Sequence, residues 1–221
     1  MRTILNTIGL LILVTFAVFV SFHVFKNIST TTRNPSFGKT VLPENESAAK
    51  SYTKWRNERL LKISSGLQTF AKNKGYNSDI AFLVDMNIPS GENRFFVYNM
   101  QKDSIEAQGL VTHGYGSPKA EIEFSNVPGS NCTSLGKYKI GTAYNGRFGL
   151  AYKLHGLDKT NDKAFERFVV LHSHSCVPEA EVAPLSICES QGCPTVSPLF
   201  LQKLKSYISS SSKPILLTIY K

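Results

Sequence analysis

The chain has 221 residues, with 25 Lys and Arg against 16 Asp and Glu, a formal charge of +9. That length suits one domain plus a targeting segment, or two small domains. The positive balance fits nucleic acid, an anionic membrane surface or an acidic polymer, but the absence of a basic stripe, zinc-finger spacing or helix-turn-helix signal argues against nucleic acid.

Residues 4–25 form an apolar stretch of membrane length, preceded by Arg2 and followed by Lys26. Segment 1–26 therefore reads as a membrane-spanning signal anchor or a cleaved signal peptide, and either places the rest of the chain in the cell envelope outside the cytoplasm. Residues 27–46 are rich in Thr, Ser, Asn and Pro and read as a flexible linker. In 47–75, Tyr52, Trp55, Leu60, Ile63, Leu67 and Phe70 recur at helical spacing. That pattern predicts one or two amphipathic helices, broken near Ser64-Ser65-Gly66, that dock on the domain.

Residues 76–221 have a β texture. Strands are expected at 80–84, 94–99, 108–113, 136–142, 148–154, 167–172 and 214–220, with a short helix at 199–209 after Pro198. Short strands with Gly-rich connections predict a mainly β domain, a sandwich or barrel-like body with a few short helices. An exported chain permits disulfides, and its 4 cysteines allow alternative pairings. Cys176 and Cys188 flank the loop leading to Cys193 and suit a disulfide that pins it; buried free thiols are the alternative.

The chemistry concentrates in Ser190-Gln191-Gly192-Cys193-Pro194, downstream of an apolar run, Phe168-Val169-Val170-Leu171, that ends in His172. Glycine lets the backbone bend tightly and turn its N–H groups toward a reacting carbonyl. A thiol with a pKa of about 8.5 needs a neighbouring base or positive charge to react at neutral pH. Cys193 and His172 thus form a candidate nucleophile and base, and Gly192 and Cys193 N–H are candidate oxyanion donors.

Several ordered segments carry a resemblance. Val111-Thr112-His113-Gly114, Phe124 to Ser130, Ser134-Leu135-Gly136, Leu154-His155-Gly156-Leu157, Glu166-Arg167, Val170-Leu171-His172 and the Cys193 turn together resemble the murein L,D-transpeptidase catalytic domain family (YkuD-like). The likeness runs from about Ile80 to Tyr220. It implies a β-rich fold and a cysteine-dependent acyl transferase acting on peptidoglycan stem peptides through a thioester, with no cofactor. It assigns the nucleophile to Cys193 and the base to His172, with the carbonyl of Ser173 orienting the ring. His113, Ser134, Arg167 and Ser190 fall in family blocks and are candidate substrate contacts. Packing under the site, turn capping or surface pairing with Glu166 or Asp162 would explain them too. Where many relatives carry His before Gly-Cys and Arg or Asn two positions after it, this chain has Gln191 and Thr195.

Other readings are L,D-carboxypeptidase trimming of stems, a non-catalytic peptidoglycan-binding protein, or a zinc site drawn from His172, His174, Cys176, Cys188 and Cys193.

Overall fold

The computed structural model describes residues 46–116 and 121–221. The apolar stretch 4–25 and nearly all of the expected linker lie outside the described residues. Among the described residues, no helix is long and apolar enough to cross a membrane. Residue contacts divide the chain into Met1–Ala49 and Lys50–Lys221, and all the described residues except 46–49 belong to the second unit.

Helix α1 spans Glu46–Lys74 without interruption. The expected break does not occur, because Ser64 and Ser65 turn their hydroxyls back onto the carbonyls of Leu61 and Lys62. Those local bonds let serine sit inside a helix, and tertiary packing outweighs its weak propensity. Leu60, Ser64, Leu67 and Ala71 are buried along one stripe. At 29 residues the helix is not one of the few short helices expected.

The strands are β1 Ile80–Asp85, β2 Phe95–Asn99, β3 Ser104–Gly109, β4 Gly136–Gly146, β5 Gly149–Gly156, β6 Val170–Ser173, β7 Thr195–Val196 and β8 Leu216–Tyr220. They form an eight-stranded sheet in the order β3-β2-β1-β8-β4-β5-β6-β7. Its edges meet: Val111, just past β3, bridges Val196 of β7, and Thr112 N–H donates to Thr195 O at 2.9 Å. One sheet curled onto itself describes the body better than a two-sheet sandwich.

Strand β1 runs beside β8 in parallel and beside β2 antiparallel, so it is central and buried on both faces. Phe82 and Val84 face the larger core with Phe95, Tyr138, Leu154 and Leu171. Ala81 and Leu83 face a second core under α1, with Leu60, Leu67 and Ala71. This two-sided burial explains why 80–84 reads as a continuous apolar run rather than an alternation. The helix is also tied down polarly, by Arg59 gripping both Asp85 oxygens at 2.6 and 2.9 Å.

Helix α2, Pro198–Ser210, has Ser197 as its N-cap, with the hydroxyl accepting from Phe200 N–H at 3.3 Å, and proline in its first turn. Its Phe200, Leu201 and Leu204 plug the larger core. Phe200 meets the Phe95 ring edge-on at 5.3 Å. Strand β3 lies at 104–109 rather than 108–113, since Gly109 packs against the Phe200 ring and the chain turns toward the seam after it.

Candidate active site

Register brings the candidate base and nucleophile together. Strand β6 pairs with β7 in parallel, setting His172 opposite Thr195, two residues past Cys193. His172 and Cys193 both line a cavity of about 450 Å³, shared with Arg147, Phe148, His174, Glu189 and Thr195.

The imidazole of His172 is held at both nitrogens. Nδ1 lies 3.1 Å from Ser173 O, and a carbonyl only accepts, so Nδ1 carries the proton. Nε2 is then the lone-pair nitrogen, and the Thr195 hydroxyl donates to it at 3.0 Å. Phe148, from the β4–β5 turn, stacks on the ring at 5.1 Å and 17°. Burial, chiefly, lowers the pKa of His172; the Ser173 bond opposes this and nearby His174 adds to it. The base is therefore neutral at pH 7.

The Cys193 thiol donates to Phe168 O at 3.8 Å. Burial raises its pKa, against the backbone at Val170 and the charge of Arg167, which both lower it. At rest the pair is a neutral thiol and a neutral imidazole, not an ion pair.

The turn around the sulfur is fixed by hydroxyls. Ser190 Oγ accepts Gly192 N–H at 3.1 Å and lies 2.7 Å from Cys193 O as donor. Ser190 N–H donates to His113 O at 2.8 Å. Thr112 Oγ1 also reaches Cys193 O, at 3.2 Å. Ser190 thus spends its hydrogen bonds building the turn, although it lines the cavity. Gly192 has φ +103°, a region that glycine occupies at no steric cost, and its N–H is already engaged by Ser190. Of the two candidate oxyanion donors, this leaves Cys193 N–H.

His113, Ser134 and Arg167 are not among the residues that line the cavity. His113 is buried between Arg94 Nη2, 3.0 Å from Nδ1, and Glu189, 3.3 Å from Nε2. Since a guanidinium only donates, Nδ1 accepts and His113 is neutral with its proton on Nε2. Burial and then Arg94 lower its pKa, against Glu189. Ser134 is buried against the Tyr138 hydroxyl at 2.8 Å. Arg167 donates to Ser125 O, Ser134 Oγ, Ser130 Oγ and Cys132 O, clamping the 125–134 loop. It pairs with neither Glu166 nor Asp162 as the surface alternative would have it. His174 accepts Cys176 N–H at Nδ1, 3.1 Å.

Cys176 and Cys188 are joined in a disulfide. Two of the five ligands in the zinc reading are thereby spent, and the described residues hold no cluster of three or more His, Cys, Asp or Glu suited to a metal.

Sequence reasoning missed Arg94, which is fully buried and bonded to Val111 O, Ile88 O and His113. Burial lowers its pKa to about 10, with Asp85 opposing, so it stays charged. Its only signal was a cation opening an apolar run. Thr195 was visible as a departure at a named position, without a role. Arg147 gave no signal, and Phe148 was read only as the first residue of the strand expected at 148–154, whereas it lies in the turn before Gly149–Gly156.

A family model for the L,D-transpeptidase catalytic domain matches residues 53–218, which takes in most of α1, strands β1 to β7 and the start of β8. No curated protein matches the chain. Among solved structures it is similar to the helical cell shape determining protein Pgp2 from Campylobacter jejuni, with 13% identity and TM-score 0.43 over 64% of this chain and 47% of that one. It is also similar to an L,D-transpeptidase from Mycobacterium smegmatis, with 12% identity and TM-score 0.37 over 65% and 59%. A third is an L,D-transpeptidase from Xylanimonas cellulosilytica, with 12% identity and TM-score 0.37 over 69% and 68%. The chain spans about half the length of the Pgp2 chain.

Proposed function

The chain belongs to the L,D-transpeptidase catalytic domain family, and from that premise we propose that it transfers acyl groups between peptidoglycan stem peptides with Cys193 as nucleophile. The observation that carries the reading is the register of β6 on β7, which sets a neutral, tautomer-fixed His172 beside the Cys193 turn.

Substrate entering the cavity brings the stem carbonyl to Cys193. The thiol proton passes to His172 Nε2 as sulfur attacks, and the Thr195 hydroxyl turns to its second acceptor, Cys193 O at 3.5 Å. Ser173 O steadies the imidazolium through Nδ1–H. Cys193 N–H faces the developing oxyanion, and the charge of Arg167 favours the anionic sulfur. The imidazolium returns its proton to the departing amine of the terminal D-residue, leaving a thioester. An amine from a second stem then gives a cross-link, and water in its place gives a trimmed stem. No step calls for a metal or an organic cofactor.

Residues 76–221, with the helix before them, serve as the catalytic domain in this reading, and 1–26 and 27–46 as anchor or signal and linker. The Cys176–Cys188 disulfide supports an extracytoplasmic site of action in the cell envelope, where such bonds persist.

The test is incubation with purified disaccharide tetrapeptide and mass analysis, beside Cys193→Ala. Dimer or tripeptide from wild type and neither from the variant is expected. Folded wild type that yields neither product overturns the reading.

A further inference from the structure

The segment just past β3 is a template on which the nucleophile turn is laid. His113 O accepts the N–H of Ser190 at 2.8 Å, and Tyr115 N–H donates to Ser190 O at 2.8 Å. On the far side of the sulfur, Thr112 N–H donates to Thr195 O at 2.9 Å. Thr112 Oγ1 accepts Thr195 N–H in return, at 3.2 Å. The chain is thus held three residues before Cys193 and two residues after it. Where 112–115 lie decides where the sulfur lies.

That segment is gripped from within by Arg94. Its Nε and Nη2 donate to Val111 O at 3.0 and 2.8 Å, and its Nη1 to Ile88 O at 3.3 Å. Nη2 also meets His113 Nδ1 at 3.0 Å. The backbone of Arg94 is itself fixed, since its N–H donates to Gly109 O and its carbonyl accepts Asp85 N–H. It stands at the entry to β2, which β1 and β3 pair on either side. The side chain is fully buried, and among the described residues no carboxylate is hydrogen-bonded to it. A buried cation without a bonded counter-ion weakens a fold, and apolar side chains fill such space with less penalty. The core therefore does not explain an arginine here. Its planar fork does something an apolar residue cannot: it grips the carbonyl that opens the segment and the imidazole inside it at once.

We propose that Arg94 and His113 are positioning residues of the acyl transfer, aiming Cys193 through Ser190; the proposal rests on the acyl-transfer reading above. Neither lines the cavity, so neither touches the stem. Of the two ring bonds of His113, the one to Arg94 is buried and ties the template to β2. The one to Glu189 ends on a half-exposed side chain. Position is therefore set through Nδ1, and the bond at Nε2 adds little.

Two variants of similar shape separate those bonds. His113→Asn keeps an acceptor near the Nδ1 position and loses Glu189, whereas His113→Gln reaches the Nε2 position and loses Arg94. Both, with Arg94→Met, are compared with wild type for kcat and KM on disaccharide tetrapeptide, for Cys193 acylation by a carbapenem, and for Tm. A turn displaced by about 1 Å lowers kcat and acylation about 100-fold in His113→Gln and Arg94→Met, and KM stays within about threefold. His113→Asn stays within about threefold of wild type throughout, the scale of one exposed hydrogen bond. Wild-type rates in His113→Gln overturn the proposal. So do equal losses in the two His113 variants, or a KM that rises in step with the loss. Should Arg94→Met not fold, the His113 pair decides alone. Wild type that is never acylated overturns the acyl-transfer reading together with this one; acylated wild type beside unaffected variants overturns this one only.

Discussion

Gly192→Ala tests whether the turn around the nucleophile is as constrained as its geometry implies. At φ +103° an L-residue is strained, at a cost of about 1–2 kcal/mol. Space is also lacking: a Cβ there would sit 2.7 Å from Cys132 O and 3.2 Å from Cys132 C. Cys132 O is held in place by Arg167 Nη2 at 2.7 Å, so it cannot retreat without dragging the clamp on the 125–134 loop. Strain and clash together come to roughly 2–4 kcal/mol, or a Tm lowered by about 5–10 °C for a domain of this size. The turn relieves the clash by moving the sulfur, and a shift of about 1 Å is worth about 100-fold in kcat/KM. Carbapenem acylation monitored by mass, with thermal melts in parallel, reads both effects. Gly75→Ala is the control: Gly75 is left-handed at φ +76° but has nothing within 4 Å of the added carbon. It carries the conformational cost with unchanged acylation. Gly192→Ala acylating at the wild-type rate would refute the reasoning.

The remaining expectations concern the base and the loop before the nucleophile. His172 must be neutral to accept a proton, and burial lowers its pKa, so kcat/KM falls only as pH drops through a value below the ordinary histidine figure of about 6.5. A pH–rate profile whose acid limb lies above that contradicts the burial argument. Thr195→Val removes the hydroxyl that steadies Nε2 and slows acylation by roughly 2- to 10-fold, and Thr195→Ser restores it; equal rates for all three leave Thr195 without a role at the ring. Reduction of Cys176–Cys188, or Cys176→Ser with Cys188→Ser, costs about 3 kcal/mol for a sequence separation of 12. Urea midpoints with and without reductant measure it, and coincident curves refute it.

The legible parts of the fold were those where one local rule dominates. The run at 80–84 reads as a strand because it is buried on both faces, and Ser197-Pro198 marks the start of α2 with a cap and a proline. The unbroken α1 was not legible, because the packing of Leu60, Leu67 and Ala71 on the sheet overrides a Ser-Ser-Gly sequence that looks like a stop. The choice between sandwich and barrel-like body was not legible, since the Val111–Val196 bridge joins segments far apart in the chain. At the site, the Gly-Cys turn and a histidine ending an apolar run announce themselves by local chemistry. Ser134 and Arg167 were read as candidate substrate contacts because they fall in the ordered blocks that carry the resemblance. Their partners are loop carbonyls and a buried tyrosine that only the fold supplies. Arg94 shows the same limit, as its burial beneath His113 follows from the seam.

The place where the sheet closes on itself also decides whether the candidate groups share one site. The two-residue strand Thr195–Val196 follows directly on the Cys193 turn, pairs with the strand that carries His172, and joins the far edge through Val196. A nascent or partly unwound chain owns every chemical group it needs and can use none of them together. Loss of that pairing separates the two segments, so a chain opened at the seam has the groups without their arrangement.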